Sequence, residues 1–145
     1  MSIIENRICS SLLGTGSDKI VRLSRASKSL VIKGDNAIVV RSVGNSRSFT
    51  IDLSTPVGRI PGICIFEAGN QASVDLKIGI SIGRIVYLGR GNTSTGSITF
   101  SGNSSLNSGI VDLKGNLPSL AVAGAASAGC SKISATGNLD HYTCD

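Results

Sequence analysis

From Val74 to Ile82 every second residue is aliphatic: Val74, Leu76, Ile78, Ile80 and Ile82 alternate with Asp75, Lys77, Gly79 and Ser81. Successive side chains of an extended strand point to opposite faces, so strict alternation builds one apolar and one polar face. This chain therefore buries sheet faces rather than helix stripes. Shorter versions of the pattern recur at Leu30 and Ile32, Ile38 and Val40, Phe49, Ile51 and Leu53, Val86 and Leu88, Ile98 and Phe100, and Val111 and Leu113, with a continuous apolar run at Ile63-Cys64-Ile65-Phe66. Strand centres lie about ten to fourteen residues apart, close to the spacing of sandwiches and barrels.

Residue usage agrees. Aromatics make up 3% of the 145 residues, Trp is absent, and the apolar load falls on Ile, Val, Leu and Ala. β-branched side chains are stiff at χ1 and pack well on a pleated surface. The 18 glycines and a charged fraction of 16% point to tight turns between short strands. The dipeptide Gly-Asn occurs at 44–45, 69–70, 91–92, 102–103, 115–116 and 137–138, at spacings of 25, 22, 11, 13 and 22. Both residues tolerate positive φ, so the pairs read as hairpin turns after strands.

The expectation is an all-β fold: a single compact domain of short strands, sandwich, barrel or jelly-roll-like, over residues 29–117. Residues 1–28 form an N-terminal arm with a basic segment. Within it Ile4, Ile8 and Leu12 fall on one face of a short helix that Gly14 could cap, or the segment is an extended arm. Residues 118–145, with the run Leu120-Ala121-Val122-Ala123-Gly124-Ala125-Ala126, form a small-residue C-terminal strand or tail.

A frame of six from Leu76 reads LKIGIS, IGRIVY, LGRGNT, STGSIT, FSGNSS, LNSGIV. The aliphatic-Gly starts Ile82-Gly83 and Leu88-Gly89 resemble those of the hexapeptide-repeat acyltransferases. That resemblance implies a left-handed β-helix and transfer of an acyl group from coenzyme A to a sugar or amine. The family uses a histidine base within or beside its coils, whereas the single histidine here is His141, near the C-terminus and beside Asp140.

No other catalytic pattern emerges. Gly14-Thr15-Gly16-Ser17-Asp18-Lys19 lacks the Gly-Lys-Ser/Thr ending of a phosphate loop, and Gly89-Arg90-Gly91-Asn92 is not followed by a helical pattern. The only glutamates are Glu5 and Glu67, and the seven aspartates are scattered. Cys9, Cys64, Cys130 and Cys144 show no short metal-binding spacing. Cys64 reads as a core thiol, Cys130 and Cys144 as a disulfide candidate, and Cys9 as able to pair between subunits. No cofactor and no metal are expected.

Residues 1–59 carry nine Lys/Arg against four Asp/Glu, and residues 60–145 carry five against five. The excess is densest at Lys19, Arg22, Arg25, Lys28 and Lys33, which could contact a polyanion or another subunit, or simply face solvent. No aromatic interrupts this segment to stack on bases, which argues against sequence-specific nucleic-acid binding. No run nears the roughly 20 apolar residues of a membrane span. The N-terminus lacks the order of a secretory signal, so cytoplasmic synthesis is expected. With catalysis unsupported, these features imply a structural self-assembling subunit, a viral or phage virion protein such as a capsid-decorating (cement) protein or short fibre. It would be a homo-oligomer, a trimer or larger, in contact with other capsid or particle proteins. The alternatives are the acyltransferase and a carbohydrate- or surface-binding β module, the latter weakened by few Trp and Tyr.

Overall fold

Within the described residues the aliphatic alternations become strands, but each strand pairs with one a full coil away; Leu30 and Ile32 lie outside the described residues. The computed structural model describes residues 8–9, 11, 14, 20–23, 37–43, 45, 48–53, 59–92, 95–101, 104–115, 119–124, 129 and 132–137, with backbone alone at 20–23, 43, 49 and 132–137. Among the described residues there are ten strands: β1 (Ile20–Leu23), β2 (Ala37–Val43), β3 (Ser48–Leu53), β4 (Arg59–Ala68), β5 (Ser73–Ile78), β6 (Ser81–Arg90), β7 (Thr95–Phe100), β8 (Ser105–Lys114), β9 (Ser119–Ala123) and β10 (Lys132–Gly137). They form one sheet in the order β1-β2-β4-β6-β8-β10 and a second in the order β3-β5-β7-β9. Every pairing is parallel.

In the first sheet Val40 lies opposite Ile65, Ile65 opposite Tyr87, and Tyr87 opposite Val111. In the second, Ile51 lies opposite Leu76, Leu76 opposite Ile98, and Ile98 opposite Val122. Both sheets therefore advance by the same 25, 22 and then 24 residues. Each such step is one turn of a parallel β-solenoid carrying one strand in each sheet, so each coil rests mainly on its two neighbours. The all-β expectation holds. The reading of the Gly-Asn pairs as hairpin turns does not: Gly69, Gly91 and Gly115 follow directly on β4, β6 and β8 and lead the chain across to the other sheet. The connectivity is thus a stacked coil and not a barrel or jelly roll, with coils too long and too uneven for a frame of six.

The interior is aliphatic. Ile38, Val40, Ile63, Ile65, Ile85 and Val111 of the first sheet meet Ile51, Leu76, Ile78, Ile98 and Val122 of the second in one buried cluster. The coils of β4 and β6 also slip phase at one place. Ile60 and Ile63 both face inward, as do Ile82 and Ile85, three apart rather than two. The slip marks a bend at Pro61 and Gly83, where the register of β4 on β6 skips one pair.

At the other end of these strands the coils are stacked where the Gly-Asn dipeptides fall. Gly91 and Gly115 have φ of 118° and 128°, and a Cβ on Gly115 would collide with the carbonyl oxygen of Gly91. Above this turn Asn92 Nδ2 donates to Asn70 Oδ1 at 3.0 Å. Gly115→Ala is expected to lower the unfolding free energy by about 2 kcal/mol, since a positive φ and a backbone clash both oppose the methyl group. Urea denaturation checks it, and an unchanged midpoint would mean that the coils do not stack this closely.

The two outer faces differ. On the second sheet Thr50, Asp52, Asp75, Lys77, Thr95 and Thr99 are exposed, and Ser97 Oγ donates to Asp75 Oδ1 at 2.7 Å. On the first sheet Ala37, Val39, Cys64, Val86 and Leu88 form a second apolar cluster, with Phe66 and Ile110 against it. Cys9, fully buried, completes that cluster and is bonded to Cys64, with the two Cα atoms 5.7 Å apart. Ile8, Cys9 and Ser11 are helical, in the segment where a short helix was expected. Cys64 is therefore no free core thiol, and Cys9 pairs within the chain and not between subunits. The corresponding expectation for Cys130 and Cys144 lies outside the described residues.

Candidate functional site

Two polar places interrupt this aliphatic scaffold. The first is inside it. Inward positions of β4 run Ile63, Ile65, Glu67, so the alternation carries a carboxyl group into the core. Glu67 is fully buried, with Ser42 beside it on β2 and Gly89 beside it on β6. Tyr87, two residues before Gly89, is also fully buried, and its hydroxyl donates to Glu67 Oε2 at 2.7 Å. The ring reaches across to the second sheet, where Gly96 leaves room for it: a Cβ there would overlap the tyrosine oxygen.

Burial pushes the Glu67 carboxyl up from 4.5 to about 8, because a charge is poorly solvated there. The Tyr87 hydroxyl bond holds it lower than burial alone would, the Asp75 charge raises it again, and the nearby Val74 backbone opposes that. Burial, with the Glu67 carboxyl beside it, lifts the Tyr87 phenol well above its ordinary value. Glu67 Oε1 and Ser42 Oγ have no hydrogen-bond partner among the described residues. A neutral acid bonded to a tyrosine has the chemistry of a general acid. Such a group must come within hydrogen-bond reach of the proton it transfers, and both residues have zero exposure. The pair is a structural polar contact.

The second place is a surface groove of about 150 Å³ beside the bend, lined by Arg59, Ser81, Ile82, Ser105 and Asn107. Arg59, Ser81 and Ser105 open β4, β6 and β8 and stand in register on successive coils. Ser105 and Ser81 hydrogen-bond through their hydroxyls at 2.8 Å. Three residues further along the same two strands, Arg84 Nε donates to Ser108 Oγ at 3.1 Å. At the far end of the same strands Arg90 and Asp112 form an ion pair at 3.1 Å, and Lys114 lies 3.7 Å from the same carboxylate oxygen.

Of the basic residues singled out in the sequence, Arg22 lies in β1 opposite Val39. Lys19, Arg25, Lys28 and Lys33 lie outside the described residues, as does His141. Sequence reasoning missed Glu67, Tyr87 and the Arg59 groove. Glu67 had a signal, its place in the inward phase of Ile63 and Ile65. Among the described residues no group of three or more His, Cys, Asp or Glu is placed to hold a metal ion, and no helix is long and apolar enough to cross a membrane. No family model, curated protein or solved structure matches the chain.

Proposed function

We propose that this chain is a non-catalytic structural subunit that assembles with copies of itself, three or more, as a decorating or short fibre component of a virion or similar particle. The observation that carries the proposal is the stacked parallel coil, whose last strand in the second sheet, β9, has no further strand beside it among the described residues. Its sequence, Ser-Leu-Ala-Val-Ala, contains none of the charges or prolines that usually block edge pairing. Leu120 and Val122 are buried, and Ala121 and Ala123 are exposed and small. A second copy laid on this edge continues both the main-chain ladder and the aliphatic columns, which is β-strand addition. Such a head-to-tail contact closes a ring or grows a filament. The Cys9–Cys64 disulfide fits a working life outside a reducing cytosol.

Light scattering with negative-stain imaging tests this. Wild type is expected to form trimers or larger species at high concentration. The double variant Ala121→Lys/Ala123→Lys, which adds charge at exposed edge positions, is expected to shift the population toward monomer. A wild-type protein that stays monomeric at high concentration overturns the proposal.

A further inference from the structure

The groove at the bend has a donor chemistry that the assembly reading leaves unused. Arg59 is exposed and lines the groove, and its side chain takes part in no ion pair or hydrogen bond among the described residues. Among the described residues no carboxylate lines the groove. The nearest acid along β8 is Asp112, and it is already engaged by Arg90 at the opposite end of the strand. Arginine offers five N–H donors and no acceptor. Of the two hydroxyl protons on Ser81 and Ser105, one makes the bond between them and the other remains to donate outward. A hydroxyl that accepts one hydrogen bond while donating another is polarised and donates more strongly. The Asn107 side-chain amide supplies two further N–H donors beside them.

Four side chains able to donate, one of them cationic, with no competing carboxylate, match a ligand that only accepts hydrogen bonds and carries negative charge. Charge-assisted bonds from guanidinium to such oxygens are about twice as strong as neutral ones, and the planar fork binds two of them at once. We propose that the groove formed by Arg59, Ser81, Ser105 and Asn107 is a binding site for a tetrahedral oxyanion, the sulfate or phosphate of an ester. A volume of about 150 Å³ is many times the roughly 10–15 Å³ that suffices for one water molecule on the same measure. It holds the oxyanion and leaves the ester oxygen directed to solvent, so the group can be borne on a larger molecule. Because neighbouring strands in a sheet lie about 4.8 Å apart, Arg59 on one coil and Ser105 two coils along are separated by roughly 10 Å, a span a single oxyanion bridges only with these side chains reaching inward.

The test is titration calorimetry on the intact, oxidised protein at constant ionic strength. Its arms are inorganic sulfate, inorganic phosphate and a monosaccharide sulfate, with chloride as reference. Saturable binding of at least one oxyanion is expected, and Arg59→Gln is expected to weaken it by about tenfold or more, as losing a charged hydrogen-bonding partner does. Ser105→Ala is expected to weaken it less, and Lys114→Gln, at the far end of β8, to leave it unchanged. Tighter binding of the monosaccharide sulfate than of sulfate identifies an ester as the ligand; equal affinity assigns the site to the free ion. Absence of saturable binding, or an equal loss in Arg59→Gln and Lys114→Gln, overturns the site. Assembly of the Arg59→Gln variant stays as in wild type if the two proposals are independent.

Discussion

Removing the Cys9–Cys64 disulfide is expected to lower the unfolding free energy by about 4 kcal/mol. The bond joins residues 55 apart in sequence, and closing a loop of that length restricts the unfolded chain by roughly that amount in the chain-entropy account. The native side adds to it. Cys9 is the described residue that completes the apolar cluster on the outer face of the first sheet, where Val39, Cys64 and Val86 are fully buried. Without the covalent tie the Cys9 segment must hold this face by packing alone, and wherever it lifts away those side chains meet water. Burying an aliphatic side chain stabilises by about 1.5–3 kcal/mol, so opening the cluster locally costs more than the loop term by itself. Urea denaturation of wild type, oxidised and reduced, and of Cys9→Ala, which cannot form the bond, measures the effect. Reduced wild type and the variant should agree with each other and bind a hydrophobic dye that the oxidised protein excludes. A change below about 1 kcal/mol would show that the cluster, and not the bond, holds this face.

Much of the architecture was legible because alternation is a local property. Ile38 and Val40, Ile51 and Leu53, Val74 to Ile78, Ile98 and Phe100, and Val111 and Leu113 all lie on strands whose inward residues are the ones the pattern marked. Parallel pairing was not legible from that pattern, since period two is the same whichever way a neighbour runs. The information lay at longer range. Gly69, Gly91 and Gly115, at separations of 22 and 24, mark the same corner on successive coils. The additional Gly-Asn at 102–103 and the uneven coil length concealed the repeat. The frame of six failed for a related reason: at each bend two inward residues stand three apart, as Ile82 and Ile85 do, and the phase resets. Arg59, Ser81 and Ser105 follow the same offsets of 22 and 24, so their column becomes readable only once the coil length is known. Nothing in the cysteine spacing separates Cys9–Cys64 from the other pairings, because that contact depends on where the N-terminal segment lies against a sheet.

The buried acid should make stability fall as pH rises through the neutral range, and Glu67→Gln should abolish that fall. The carboxyl titrates near 4.5 when exposed and at about 8 in the folded protein. Below about pH 4.5 both states hold the proton and the group contributes no pH dependence. Between about 4.5 and 8 the unfolded chain releases the proton and the folded chain retains it, so each pH unit lowers the unfolding free energy by about 1.4 kcal/mol. Above about pH 8 both states are ionised and the slope vanishes, with a buried charge left in the core. Across the window the loss approaches about 5 kcal/mol. Glutamine keeps an oxygen for the Tyr87 hydroxyl and cannot ionise. Its amide also brings a donor next to Ser42 Oγ, which lies one strand away in register and has no other partner among the described residues. The variant and wild type should therefore be similarly stable near pH 4.5, and the variant more stable by about 3 kcal/mol or more at pH 8. Tyr87→Phe moves in the other direction. It leaves Oε2 without its donor in a dry site, costs about 1–3 kcal/mol, and raises the carboxyl further because the hydroxyl bond had been holding it down. Urea midpoints of the three proteins from pH 4.5 to 9 supply the comparison. Parallel profiles for wild type and Glu67→Gln would place the carboxyl in contact with water and contradict the packing of Ser42, Glu67 and Tyr87 between the sheets.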